Sequence, residues 1–354
     1  MRRLSTFAAA GITASALLLA GCGTNADSGS DDASAEASSG GSGDLKVALA
    51  YDVGGRGDKS FNDAAYKGLQ EAKQASDFES TEGEASTDED EATRENRLRG
   101  FADDGYNVVV GVGFAYSESV NAVAPDYPDV NFAIIDGFDP DDTENENVAY
   151  LTFAEEQGSY LVGAAAALQS ESGQIGFVGG VNNALIQKFQ AGYEAGAKAA
   201  KPDVKIDVTY LEETDVSGFN APDDGQAAAT AMYEGGADVV YHAAGASGAG
   251  VFDAATQADK FAIGVDSDQW QSASADQKPH IMTSMLKRVD VATKDFIASV
   301  ADGKPQTGYT TFDLKADGVG YSTSGDLLTE DTISKLEGYK KQIVDGDVTV
   351  PDKP

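Results

Sequence analysis

Short apolar runs alternate with helical patterns along nearly all of residues 45–354, and this alternation constrains the fold more than any other feature. Strand-like runs fall at 45–51, 107–112, 131–135, 174–178, 204–210, 237–242, 261–265 and 280–284. Helical spacing falls at 61–75, 90–103, 117–124, 155–169, 183–200, 224–235, 249–258, 287–301 and 329–344. Strands that alternate with helices build parallel sheets covered on both faces. A chain of 354 residues has room for two lobes of this kind, so the expected class is α/β. Periodicity alone does not say where the chain passes from one lobe to the other.

The N-terminus reads as a processing segment. Arg2 and Arg3 precede a short apolar stretch, Phe7 to Ala20, which ends at Leu19-Ala20-Gly21-Cys22. That ending resembles a lipobox, in which Cys22 is lipidated and residues 1–21 are a signal peptide. Cys22 is the only cysteine in the chain, so no internal disulfide is possible. Residues 22–44 are mostly Ser, Gly, Ala and Asp, a composition that buries too little surface to fold and serves as a tether. No other segment is long and apolar enough to cross a membrane.

The formal charge is −34, and loss of residues 1–21 removes two arginines and no acid. Such a balance argues against nucleic-acid binding, which needs a basic face. It favours solubility and is compatible with tolerance of salt. The acidic runs Asp88-Glu89-Asp90-Glu91 and Asp139 to Glu146 lack the alternating acids and central Gly of an EF-hand loop, so no metal site is expected there.

The densest chemistry lies between the first strand and the first helix. Asp52 ends the strand, and Gly57-Asp58-Lys59-Ser60-Phe61-Asn62 leads into the helix. Ser60 with Asp63 three residues on resembles a capping box. Open α/β sheets bind ligands at the carboxyl ends of their strands. An aromatic face beside several hydrogen-bonding groups suits a small, polar, ring-bearing ligand. By spacing alone, Phe61 equally fits as the first core residue of its helix. Asp136 and Asp266 each end an apolar strand, where a carboxylate accepts bonds from hydroxyls or ring N–H groups, or caps the next helix. Phe189 fits core packing on its helix, and Lys287 fits an ordinary surface lysine on a helix. The turn Gly245-Ala246-Ser247-Gly248-Ala249-Gly250 has neither the Lys of a P-loop nor the order of a dinucleotide fingerprint. His242 is expected to be buried at a strand end, and Arg56-Gly57-Asp58 is read as a chance match to an adhesion motif.

Asp52 followed by Asp58-Lys59-Ser60-Phe61-Asn62 resembles the N-terminal signature of the basic membrane protein family, substrate-binding lipoproteins of ABC transporters. The likeness continues in order through Phe132 to Asp136, Glu156 to Ala165, Ile175 to Gly180, Phe189 to Gly196, Ala243 to Val251, Ile263 to Gln269 and Thr283 to Ala292. Gly57 stands where the family often has an acid. The resemblance implies a type I periplasmic-binding-protein fold of two doubly wound parallel-sheet lobes joined by three crossing strands. It sets the first lobe at about 45–150 plus 267–308 and the second at about 151–266 plus 309–354. It also implies a purine nucleoside ligand (inosine, guanosine or adenosine) bound by Asp52, Ser60, Phe61, Asn62, Asp136, Phe189, Gly245, Asp266 and Lys287. Phe61 and Phe189 would sandwich the base. Asp52, Asn62 and Asp136 would meet its edge, while Asp266 and Lys287 would reach the ribose.

Two histidines, no thiol after Cys22, and no Gly-x-Ser-x-Gly elbow give catalysis little support. Acids are so abundant that any chosen pair says little about a glycosidase, which composition leaves open. The expected protein is not an enzyme. It is a monomeric, cofactor-free receptor, anchored by lipid on the outer face of the cell membrane, that serves a permease driven by a separate ATPase. The alternatives are the same fold with a sugar or other nucleoside-like ligand, or a surface signalling or adhesion lipoprotein.

Overall fold

The structure, a computed structural model, describes residues 45–354 apart from 87, 88 and 144. In chain order its strands are β1 (Lys46–Tyr51), β2 (Glu79–Glu84), β3 (Val108–Val112), β4 (Asn131–Ile135), β5 (Val148–Phe153), β6 (Gln174–Val181), β7 (Lys205–Glu212), β8 (Val239–Ala243), β9 (Phe261–Asp266), β10 (Ile281–Lys287), β11 (Gly308–Phe312) and β12 (Val319–Tyr321). The helices are α1 (Phe61–Ala75), α2 (Glu91–Asp103), α3 (Ser117–Val123), α4 (Glu155–Gln169), α5 (Ala184–Ala200), α6 (Pro222–Glu234), α7 (Gly248–Ala258), α8 (Gln269–Ser272), α9 (Val289–Ala301) and α10 (Glu330–Val344).

Among the described residues the strands form two six-stranded sheets, ordered β11-β5-β4-β3-β1-β2 and β12-β10-β9-β8-β6-β7. All pairings are parallel except β12 against β10. The central strands β3 and β8 are buried along their whole length, as continuous Val-rich runs must be when helices cover both faces. In each sheet the chain enters at the first strand, adds the second outside it at the edge, then reverses past the first to the third. The reversal points, between β1 and β3 and between β6 and β8, open a crevice at the carboxyl ends.

Helix limits follow the apolar spacing within about two residues of the expected ones. Four strands carried no predicted run. β2 has the sequence ESTEGE and no buried residue. An edge strand needs no apolar face, and charge there discourages pairing with another chain. β11 is a second half-exposed edge, β12 has only three residues, and β5 lies directly before α4, whose pattern absorbs its apolar signal.

The chain passes between the sheets at Ala154, Arg288 and Asp313. The first lobe therefore comprises residues 45–153 and 289–312, and the second comprises 155–287 and 314–354. This corrects the expected limits, which put 267–308 in the first lobe. Met285 of β10 pairs with Val265 of β9 and with Tyr321 of β12, so β10 belongs to the second sheet and only α9 returns to the first. In the second lobe α4 and α5 pack backbone to backbone. A Cβ at Gly196 would stand 1.9 Å from the Tyr160 carbonyl oxygen, so only glycine permits that approach.

Candidate functional site

A cleft with about 600 Å³ of empty space, counted to its solvent opening, separates the carboxyl edges of the two sheets. Its first-lobe wall comes from Asp52 and Val53 after β1, Phe61 and Asn62 opening α1, Gly113 and Phe114 after β3, and Asp136 after β4. Its second-lobe wall comes from Leu185, Ile186 and Phe189 on α5, Phe219, the Ala243–Ala246 segment, Asp266 ending β9 and Lys287 ending β10. Asp52, Phe61, Asn62, Asp136, Phe189, Gly245, Asp266 and Lys287 thus meet around one space, although more than 230 residues separate the first from the last.

Ser60 stands differently. Its side chain makes no cap bond, so the expected capping box does not form. Asp58 caps α1 instead, accepting bonds from the backbone N–H groups of Ser60 (3.0 Å), Asn62 (2.8 Å) and Asp63 (3.1 Å). Asp63 turns back to the N–H groups of Gly57 and Lys59. The freed Ser60 hydroxyl donates to Asp266 Oδ2 at 2.5 Å, across the lobe boundary and outside the cleft lining. Ser60 therefore orients a cleft carboxylate rather than facing the cleft itself. Asp58 is also too buried to be presented with Arg56 and Gly57 as an adhesion motif.

Asp136 and Asp266 occupy matching positions in the two lobes. Each follows the apolar part of a strand, and each adopts a left-handed backbone, with φ of +61° and +63°. Asp tolerates this region better than branched residues do. Asp52 packs against Gly113, where a Cβ would stand 2.4 Å from its Oδ2. Burial pushes Asp52 and Asp58 up to about 6, against the pull of backbone N–H donors. Burial likewise raises Asp266, while Lys287 and the Ser60 hydroxyl pull it down.

Lys287 is neither exposed nor helical, which corrects its reading as a possible surface lysine. It ends β10 with 2% exposure, and its Nζ lies 2.6 Å from Asp136 Oδ2 and 3.1 Å from Glu155 Oε1. Burial opposes its charge, but the Asp136, Glu155 and Asp266 carboxylates outweigh burial and hold the ammonium above its usual value. Burial raises Asp136, Lys287 draws it back, and Glu155 adds to the rise. The same ammonium sits 5.2 Å from the Phe61 ring centroid, 5.4 Å from that of Phe189 and 4.9 Å from that of Phe153. Phe61 and Phe189, one from each lobe, therefore flank a common space. Phe189 is both core and wall, being 3% exposed and part of the second lobe's packing.

Gly245 takes φ +53°, bringing bare backbone to the cleft. His242 is buried on β8 against Phe252, with ring centroids 5.1 Å apart, and burial pushes it down to about 4. The expected lipidation site, Cys22, lies with residues 1–44 outside the described residues. Phe114 and Phe219 were not singled out by motif, yet they touch edge-to-face across the lobes at 6.3 Å. The available signal was position, since Phe114 is the second residue after β3, at a carboxyl edge. Glu155 carried no signal in the sequence.

Two lobes of equal strand order, with a shared cleft at their carboxyl edges, define a ligand-binding protein of the periplasmic-binding type. Residues 45–354 match the family described as ABC transporter substrate-binding protein PnrA-like, and the chain belongs to that family. It is 37% identical to the CD4+ T-cell-stimulating antigen of Listeria innocua serovar 6a, across 100% of this chain and 99% of that one. It is 34% identical to the ABC transporter nucleoside-binding protein BmpA of Lactococcus lactis subsp. cremoris, across 96% of each. Among solved structures, a solute-binding protein of an ABC transporter system from Aeropyrum pernix K1 superposes with a TM-score of 0.75. That protein is 28% identical, over 87% of this chain and 94% of its own.

Proposed function

We propose that this protein is the lipid-anchored, extracytoplasmic receptor of an ABC importer and that it binds purine nucleosides between its two lobes. The observation that carries the reading is the pair Phe61 and Phe189, which flank one space from opposite lobes with carboxylates around it. Stacking on a flat base is worth roughly 1–3 kcal/mol. Asp52, Asn62 and Asp136 supply acceptors and an amide for the base edge, while Asp266 accepts from ribose hydroxyls and Lys287 reaches the ribose. Four carboxyls line the cleft against one ammonium that is already paired, a balance that favours a neutral nucleoside over its phosphate. The nucleoside-binding description of the Lactococcus lactis relative agrees with this chemistry.

The lobes already touch through Ser60 and Asp266, through the Ser267 hydroxyl on the Ser60 carbonyl (3.1 Å), and through Lys287 and Asp136. A nucleoside held from both sides adds its contacts to this closed arrangement and shifts the population toward it. The closed form would then dock on a permease driven by a separate ATPase. Cys22 and the tether to residue 44 would keep the protein at the membrane. Calorimetric titration with inosine, guanosine and adenosine tests the reading, with ribose and inosine monophosphate as comparisons. Heat and a raised thermal midpoint are expected with at least one nucleoside. No heat and no shift with any of them at millimolar concentration would overturn it.

A further inference from the structure

We propose that Glu155, which does not line the cleft, is a positioning residue that holds the Lys287 ammonium ready for ligand whether the lobes are apart or together. The proposal rests on the reading of Asp136 and Lys287 as ligand contacts. The two ion pairs made by Lys287 differ in kind. Asp136 follows β4 of the first lobe, so the 2.6 Å pair between Lys287 and Asp136 spans the boundary. Glu155 opens α4, which packs on β10 within the second lobe, so the 3.1 Å pair between Lys287 and Glu155 lies inside one lobe. Separating the lobes breaks the first pair and leaves the second intact.

A buried ammonium stripped of its counter-charge is strongly destabilising, and an ammonium that swings out to water must be drawn back on closing. Glu155 removes both costs. Its side chain has no exposed surface, it stands in the first turn of α4 where a carboxylate is favoured, and its other oxygen lies 3.3 Å from Lys188 Nζ on α5. Charges thus alternate along Asp136, Lys287, Glu155 and Lys188. In the closed cleft the second carboxylate has a further use. Asp136 Oδ1 and Glu155 Oε1 are both buried without a hydrogen-bond partner, so Asp136 Oδ1 is free to accept from a ligand while Glu155, at 3.1 Å, compensates Lys287 by charge proximity.

The groups that face Asp136 are Lys287 on β10, Asp266 on β9 and Glu155 on α4, with Lys188 on α5 behind Glu155. Glu155 adds to the rise of the Asp136 carboxyl, so its removal eases ionisation there. Titration of wild type, Glu155→Gln and Glu155→Asp with inosine between pH 5.5 and 8.5 tests the proposal. Wild-type affinity is expected to rise with pH as Asp136 ionises. Glu155→Gln is expected to bind about tenfold or more weakly at pH 8, and its rise is expected at lower pH than in wild type. Glu155→Asp keeps the charge, so it should bind with intermediate affinity and an unmoved midpoint. Should Glu155→Gln not fold, the Glu155→Asp profile decides, and a moved midpoint overturns the proposal. Affinity of Glu155→Gln within twofold of wild type, or a parallel loss with no movement of the midpoint, also overturns it while the nucleoside reading stands. Failure of wild type to bind any nucleoside overturns both.

Discussion

Replacing Lys287 by Met removes a fully buried cation from among carboxylates while nearly preserving its volume. Asp136, 2.6 Å from the ammonium, then loses its counter-charge, and Glu155, at 3.1 Å, keeps only Lys188 at 3.3 Å. Breaking a buried pair in this way costs about 3–5 kcal/mol. For a chain of this length that corresponds to roughly 4–8 °C in thermal midpoint. The cost depends on pH in a direction that can be worked out. The Asp136 carboxyl is already raised to about 7 in the folded protein, and loss of Lys287 raises it further. A carboxyl whose folded value lies above its unfolded value contributes stability that is complete below the unfolded value. That contribution is lost as pH rises through the folded value. The variant binds this proton more tightly than wild type, so the gap between them widens above pH 7 by about 1.4 kcal/mol per unit. Urea unfolding at pH 6 and pH 8 measures it. The expected outcome is a destabilisation at pH 8 larger by about 1.4 kcal/mol than at pH 6. Adding Asp136→Asn and Glu155→Gln to Lys287→Met should restore much of the loss, because both carboxylates paired with the ammonium are then neutral, while Asp266 keeps the Ser60 hydroxyl and Lys188 is partly exposed to water. A single variant as stable as wild type at pH 8 would refute the assignment of Lys287 as their counter-ion, as would equal losses at both pH values.

Phe61→Ala and Phe189→Ala should each weaken inosine binding by about 1–3 kcal/mol, or roughly 5- to 150-fold by calorimetry. Normal affinity in either variant would remove that ring from the cleft's function. Gly196→Ala drives a methyl group against the Tyr160 carbonyl at 1.9 Å and must push α4 and α5 apart. A loss of about 1–3 kcal/mol is expected, read as a lower urea midpoint with an unchanged slope. Gly338→Ala on the solvent side of α10 meets nothing within 4 Å and should stabilise by up to about 1 kcal/mol.

Much of the frame was legible because each local pattern answers to a local cause. Helices α1, α4 and α5 follow from the spacing of small and apolar residues, and β3 and β8 from unbroken Val-rich runs. Asp136 and Asp266 were legible as residues of a carboxyl edge because a strand that ends in an acid puts that acid there, and both line the cleft. β2 was not legible, since an edge strand built of Glu, Ser, Thr and Gly has no periodicity to read. The cap of α1 was misread. Asp58 outcompeted Ser60 by accepting three backbone bonds, while the Ser60 hydroxyl found a charged partner more than 200 residues away.

The sequence by itself determined the class of the fold, the alternation of its helices with its buried strands, the acidity of its surface and the strand ends from which a site could be built. These depend on periodicity and composition, which act over a few residues at a time. Tertiary structure alone decided that β10 joins the second sheet, that Lys287 is buried between carboxylates from two lobes, and that Phe114 meets Phe219 across the cleft. Glu155 entered the account only there. Its role rests on an ammonium 132 positions further along the chain, and burial makes that pairing obligatory because neither charge can be left without a partner away from water.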